Sequence, residues 1–142
     1  MSGDAGETGT QDDMPKSRDN MSSILISIKP EHVENILNGT KRYEFRKVLC
    51  RQEVDRMVIY STSPVRKVVA EAEIRGIIED DPESVWQRAE DGAGISREFF
   101  DRYYEGRDTA VAFELGDVRE FDEPRELSQY GISNPPQSFI YL

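Results

Sequence analysis

Cysteine and histidine are nearly absent: Cys50 and His32 stand alone among 142 residues. A single cysteine excludes an internal disulfide and a cysteine-rich zinc site. With one histidine in a helical first turn and no Gly-x-Ser-x-Gly turn, a Ser/His/Asp triad has no basis. The Gly-x-x-x-x-Gly-Lys phosphate loop and the dinucleotide fingerprint are missing too. No stretch approaches the roughly 20 apolar residues of a membrane helix, and residues 1–20 hold no apolar run of the secretory kind. These absences lead us to expect a reduced, cytoplasmic protein with no metal, no cofactor and no membrane partner. Glu79, Asp80 and Asp81 could surround a divalent ion, but Pro82 directly after them reads better as a helix start.

What the chain has in excess is negative charge. Twenty-eight acidic residues against 18 basic ones leave a formal charge of −10. Such a surface repels phosphate chains at a distance, which disfavours broad, unspecific nucleic-acid binding. Two explanations stay open: acidity for solubility, as in salt-adapted proteins, or an acidic face for a protein partner. The spread of the carboxylates along the whole chain favours the first.

Residues 1–20 are Gly, Ser, Asp, Thr and Gln with almost nothing apolar, and read as a disordered acidic leader. One domain over residues 21–142 follows. Ile24 to Ile28 is a β-branched run of the buried-strand type. Pro30 opens a helix carrying Val33, Ile36 and Leu37 at helical spacing, and Gly39 ends it. Lys41 to Lys47 alternates as a strand, with Tyr43 and Phe45 on one face and Arg42, Glu44 and Arg46 on the other. Met57 to Tyr60 is a buried strand running into the loop Ser61-Thr62-Ser63-Pro64. Val65 to Ile78 is a long strand in which Gly76 marks a bulge. Helices are expected after Asp81 and after Ser96, the latter stopped by Gly106. Ala110 to Leu115 and Ser138 to Leu142 are strands, and Glu123-Pro124 begins a turn or short helix. Five or six strands with inserted helices predict an α+β fold, a small mixed β-barrel rather than a doubly wound parallel sheet.

The segment from Gly39 to Arg46 reads G-x-K-x-x-E-x-R through Gly39, Lys41, Glu44 and Arg46, directly after a strand and a helix. In this setting it resembles the signature of the ASCH domain family, whose fold is PUA-like. The resemblance runs over most of Ile24 to Leu142, including Leu25 to Pro30 and Pro135 to Phe139. It implies a cleft beside the barrel, lined by the signature, that takes RNA or a nucleotide. Some family members are hydrolases of modified nucleosides or nucleases. In the hydrolytic members a lysine at the Lys41 position is nucleophile or base, with a threonine three residues on and a glutamate from a later strand. Here Glu44 stands where that threonine would be, a departure from the pattern of the nucleoside-deacylating members.

The residues themselves agree with an anion site. Gly39 to Arg51 holds Lys41, Arg42, Arg46, Lys47 and Arg51 against Glu44 alone, a basic segment in an acidic chain. Arginine grips phosphate with paired hydrogen bonds and lysine acts as a point charge. Lys41 and Arg46 are therefore the expected phosphate contacts, with Glu44 orienting them. The plain alternative is a solvated strand face of weak ion pairs. The hydroxyls of Ser61, Thr62 and Ser63 at a strand end can meet phosphate or a base edge, and Gln137 can pair with a base. Glu71 and Glu73 share one face of their strand. If that face met Lys41, a lysine–glutamate acid/base pair would be possible; otherwise they are an outward acidic pair. Phe99, Phe100, Tyr103 and Tyr104 read as a buried helix face, and His32 as a surface residue. Three functions follow in order: an RNA- or nucleotide-binding module, a hydrolase of modified nucleosides or RNA using Lys41 with Glu71 or Glu73, and a regulatory adaptor with a protein partner on its acidic surface.

Overall fold

The computed structural model describes residues 22–50 and 53–142. The expected leader, residues 1–20, and Arg51 of the basic segment lie outside them. The elements in chain order are β1 (Ser22–Ile28), α1 (Pro30–Leu37), β2 (Tyr43–Arg46), β3 (Val54–Ser61), β4 (Lys67–Asp80), α2 (Pro82–Ala89), α3 (Arg97–Tyr103), β5 (Ala110–Arg125) and β6 (Phe139–Tyr141). Six strands form one mixed sheet in the order β2-β5-β4-β3-β1-β6. Only β1 and β3 run parallel. The fold is the expected α+β type.

Local chemistry explains most boundaries. Asp81 and Ser96 each accept a backbone N–H three residues on and so cap α2 and α3, a contribution of about 1 kcal/mol per cap. Pro30 sets the first turn of α1, and Gly39 leaves it in the left-handed region at φ +88°. The expected turn at Glu123-Pro124 is not found: both residues lie within β5, which runs 16 residues. The bend comes later, as a 3-10 turn over Leu127–Tyr130 closed by Gly131 at φ +75°. Pro124 is tolerated in the strand because it falls near its end, beyond most of the ladder with β4.

Two faces of the sheet are packed. Ile24, Ile26, Met57, Ile59, Ala70, Ala72 and Phe113 form the inner core under α1. Phe45, Trp86, Phe100, Tyr104 and Ala112 form a second cluster beneath α2 and α3. The outer face carries a smaller cluster of Leu25, Val58, Tyr60, Val68 and Phe121. Strand β4 changes face between Val68 and Ala70, because Tyr60 pairs with Val68 while Ile59 pairs with Ala70. The extra residue, Val69, is a bulge, and it sends Val68 outward to join Tyr60.

The sheet is curled enough for its two edges to be tied together by a side chain. Arg46 on edge strand β2 donates through Nη2 to the Ser27 carbonyl on β1 at 2.8 Å and through Nη1 to Ser138 Oγ, just before edge strand β6, at 3.2 Å. No backbone ladder joins β2 to β6, so the seam of this half-barrel is held by a guanidinium.

Candidate functional site

Beside that seam lies a cleft of about 790 Å³, within the size range of pockets that enclose a small ligand. Three segments build it: the signature strand β2 with the end of β1, the β3–β4 loop, and the Pro135–Gln137 lead-in to β6, with α1 and α3 closing the far side. The sequence placed Lys41, Glu44, Arg46, Thr62, Ser63 and Gln137 in one site, and all of them line this cleft.

Lys41 is the most constrained of these groups. The chain from Thr40 to Arg42 is laced between α1 and a glycine-flanked loop: Lys41 N–H donates to the Asn35 carbonyl at 2.9 Å, and Arg42 N–H to the Gly92 carbonyl at 2.7 Å. The Lys41 side chain is only 3% exposed. Its ammonium donates to the Ala93 carbonyl at 2.8 Å and lies 4.9 Å from the Phe45 ring centroid, a cation–π distance. Among the described residues no carboxylate comes within ion-pair reach of it. Burial, and to a lesser degree the Arg46 charge, hold its pKa below the usual lysine value, with Glu44 opposing.

The positioning loop around Ala93 was not visible as functional in the sequence. Gly94 sits at φ +69°, and a Cβ there would lie 2.5 Å from Lys41 Cβ. Gly94→Ala is therefore expected to lower stability by about 1–3 kcal/mol, adding left-handed strain to overpacking, and to push Lys41 from its place. Urea unfolding checks the first, and loss of ligand binding alongside a retained fold checks the second. A neutral effect on both would show that the loop does not hold the lysine.

Glu44 and Arg46 form a nearly buried pair, with side chains 8% and 12% exposed. Arg46 Nε and Nη2 both donate to one Glu44 oxygen, at 3.0 and 2.8 Å. With the seam bonds to Ser27 and Ser138, four of the five guanidinium N–H groups are committed to the protein. Arg46, expected as a phosphate contact, thus has one free donor and a structural task.

The free cationic charge lies elsewhere in the cleft, on exposed Lys29 and Arg66. The Arg66 guanidinium has no hydrogen-bond, ion-pair or ring partner among the described residues, and its backbone stands in the left-handed region at φ +56°. That conformation costs a non-glycine residue about 1–2 kcal/mol. The Tyr60 hydroxyl likewise has no partner among the described residues, although the residue is 5% exposed and lines the cleft. Arg66 did not stand out in the sequence, where it is one charge among many, and Tyr60 was expected at the cleft only as the start of the Tyr60 to Pro64 segment.

Four expectations need correction. Glu71 and Glu73 do not line the cleft: Glu71 bonds Arg56 and Arg119, Glu73 bonds Arg75 and the Asp117 N–H. They sit on the face of β4 opposite core residues Ala70, Ala72 and Ile74, so the acid/base pair with Lys41 is not formed. Gly39 and Ser61 are absent from the lining; Gly39 only turns the chain out of α1, and Ser61 is buried at the end of β3. His32 is no mere surface residue. Its side chain is 17% exposed, it meets the Phe99 ring edge-on at 5.6 Å, and its Nδ1 is buried without a hydrogen-bond partner among the described residues. Burial and Lys41 lower its pKa, keeping it neutral near pH 7. Lastly, Phe99 and Tyr103 line the cleft while Phe100 and Tyr104 face the core. Four aromatics at i, i+1, i+4 and i+5 span too wide an arc for periodicity to separate the two pairs.

The whole arrangement is thus a half-open cleft with an aromatic wall, a buried ammonium at its floor, and an unpaired guanidinium and phenol at its mouth. Comparison with known proteins agrees with the fold. A family model described as "Domain of unknown function (DUF365)" matches residues 22–133. The chain is 30% identical over 128 residues to the large ribosomal subunit protein uL22 of Ureaplasma parvum, of which it spans only 41%. It is 32% identical over 124 residues, 83% of this chain and 82% of the other, to the ASCH domain-containing ribonuclease of Zymomonas mobilis. The crystal structure of ASCH from Zymomonas mobilis matches with a TM-score of 0.78 at 32% identity, over 85% of this chain and 87% of that one. With its signature strand lining the cleft, its PUA-like sheet and these relatives over most of its length, the chain belongs to the ASCH domain family and to the family described as DUF365.

Proposed function

We propose that this protein takes one nucleotide of a single-stranded RNA into the cleft and cleaves the adjoining phosphodiester. The observation that carries the reading is the pairing, in one cleft, of an unpartnered guanidinium and phenol at the mouth with a buried, pKa-lowered lysine at the floor. The base enters the aromatic end, where Phe99 and Tyr103 offer faces for stacking. The phosphate rests at Arg66, whose fork is free to grip two oxygens. Cleavage then follows the path open to RNA: the 2′-oxygen attacks the phosphorus, its proton passes to a base, and the 5′-oxygen leaves with a proton. Tyr60, Lys41 and His32 are among the proton-carrying groups that line the cleft, and Arg66 meets the charge that builds on the phosphoryl oxygens. Similarity to a relative named as a ribonuclease supports the same chemistry. The acidic body suits this reading, since it holds off duplex polyanions and leaves recognition to close contacts.

The test uses a 5′-labelled single-stranded RNA, its duplex, the matching DNA, and the RNA with 2′-O-methyl groups. Shortening of the first alone, with cyclic phosphate ends, is the expected result. Anisotropy changes without shortening would leave a binding module. Neither shortening nor binding would remove RNA as the ligand and turn attention to the acidic face and a protein partner.

A further inference from the structure

A second hollow of about 590 Å³ adjoins the first and shares Tyr60, Arg66 and Pro135 with it. We infer that it is the subsite for the neighbouring nucleotide of the same RNA strand, so that the chain crosses Arg66 and the smallest fully held ligand is a dinucleotide. This deepens the RNA reading above and rests on it.

The argument starts from Arg66. A phosphodiester held by its guanidinium carries a nucleoside on each side. The cleft beside α1 and α3 accommodates one of them, and the other needs room on the opposite side of the same side chain. The second hollow is that room, and its volume fits a nucleoside. Its chemistry suits one too. Leu127, Ile132 and Pro135 give it apolar walls, while the Ser128 and Ser133 hydroxyls have no partner among the described residues and face a polar, exposed site. Hydroxyls of this kind bind sugar oxygens and base edges without strong preference. The one carboxylate in the lining, Glu126, is neutralised by its ion pair with Lys67 and further tied to the N-terminus of the 3-10 turn, so it does not oppose the strand. Arg66 stands in the left-handed region at the end of the β3–β4 turn, where its N–H and that of Val65 both donate to the Thr62 carbonyl, and its exposed side chain lines both hollows.

Calorimetric titration of the wild type tests this with the four homodinucleotides bearing a 2′-O-methyl group on the first ribose, which cannot be cleaved, and the four matching nucleoside 3′-monophosphates. At least one dinucleotide is expected to bind about tenfold or more tightly than its monophosphate. Ser133→Trp, which fills the second hollow from an exposed position, is expected to bring dinucleotide affinity down to that of the monophosphate and leave the monophosphate unchanged; Ser128→Trp repeats the test from another wall. Equal affinities that neither tryptophan alters would overturn the second subsite while leaving the first cleft a nucleotide site. No binding of either ligand class by the wild type would overturn the subsite together with the RNA reading.

Discussion

Arg46→Ala is expected to lower the stability of the domain by about 3–5 kcal/mol, the usual cost of removing one partner from a buried ion pair. The change leaves Glu44, 8% exposed, without the cation it is hydrogen-bonded to and removes both bonds across the seam, to Ser27 and Ser138. The tie spans strands that no ladder connects, so nothing else in the sheet can replace it. In urea, where small domains lose about 1–3 kcal/mol per molar, the midpoint should fall by more than 1 M. Arg46→Lys keeps the charge yet cannot reach Glu44, Ser27 and Ser138 together, and should recover only part of the loss. Pairing Arg46→Ala with Glu44→Gln should restore stability relative to Arg46→Ala, because the stranded charge is gone. A loss below about 1 kcal/mol for Arg46→Ala would show that the pair belongs to the ligand rather than to the fold.

The second large effect concerns the opposite kind of arginine. Arg66→Gly should cut RNA cleavage by about 10²–10³-fold, the scale of one lost electrostatic contact to a transition state, while leaving the protein as stable as before or more so. The guanidinium has no partner to lose, and glycine relaxes the φ +56° backbone. Tyr60→Phe should also leave the fold intact, since the hydroxyl bonds nothing among the described residues, and should lower kcat by about 10²–10⁴-fold as a lost proton carrier. A KM increase with kcat unchanged would instead make Tyr60 a binding group. Cleavage at wild-type rate in both variants would place the chemistry away from the mouth of the cleft. The contrast between the two arginines is sharp: one should cost stability, the other activity.

That contrast is not legible in the sequence. Both arginines are single letters in basic or mixed stretches. Arg46 drew notice because it closes the G-x-K-x-x-E-x-R pattern, and Arg66 drew none. Their tasks differ because Arg46 points across a curled sheet into carboxylate and carbonyl oxygens, whereas the Arg66 guanidinium meets no acceptor among the described residues. Gly94 is a similar case. Its letter says only that a turn is possible, and its use, to let the backbone close over Lys41, depends on a loop 52 residues further along the chain from the lysine it touches.

What the sequence determined by itself is local. The helix caps at Asp81 and Ser96, the stop at Gly39, the alternation of β2 and the burial of β1 all follow from neighbours within a turn or two, and the structure keeps them. Glu44 and Arg46 lie on one short strand and Lys41 stands two residues before it, so the gathering of these three at one place was also legible. Tertiary structure decided the rest. Glu71 and Glu73 share a face by the two-residue period of any strand, but which face it is depends on the sheet's register and its bulges. Tyr60, Arg66 and Lys41 line one cleft only because β1, β3 and β4 pair in that register and the seam closes on Arg46. Periodicity reports the direction of a side chain relative to its own strand; what stands opposite is set by long-range pairing, which no local pattern encodes.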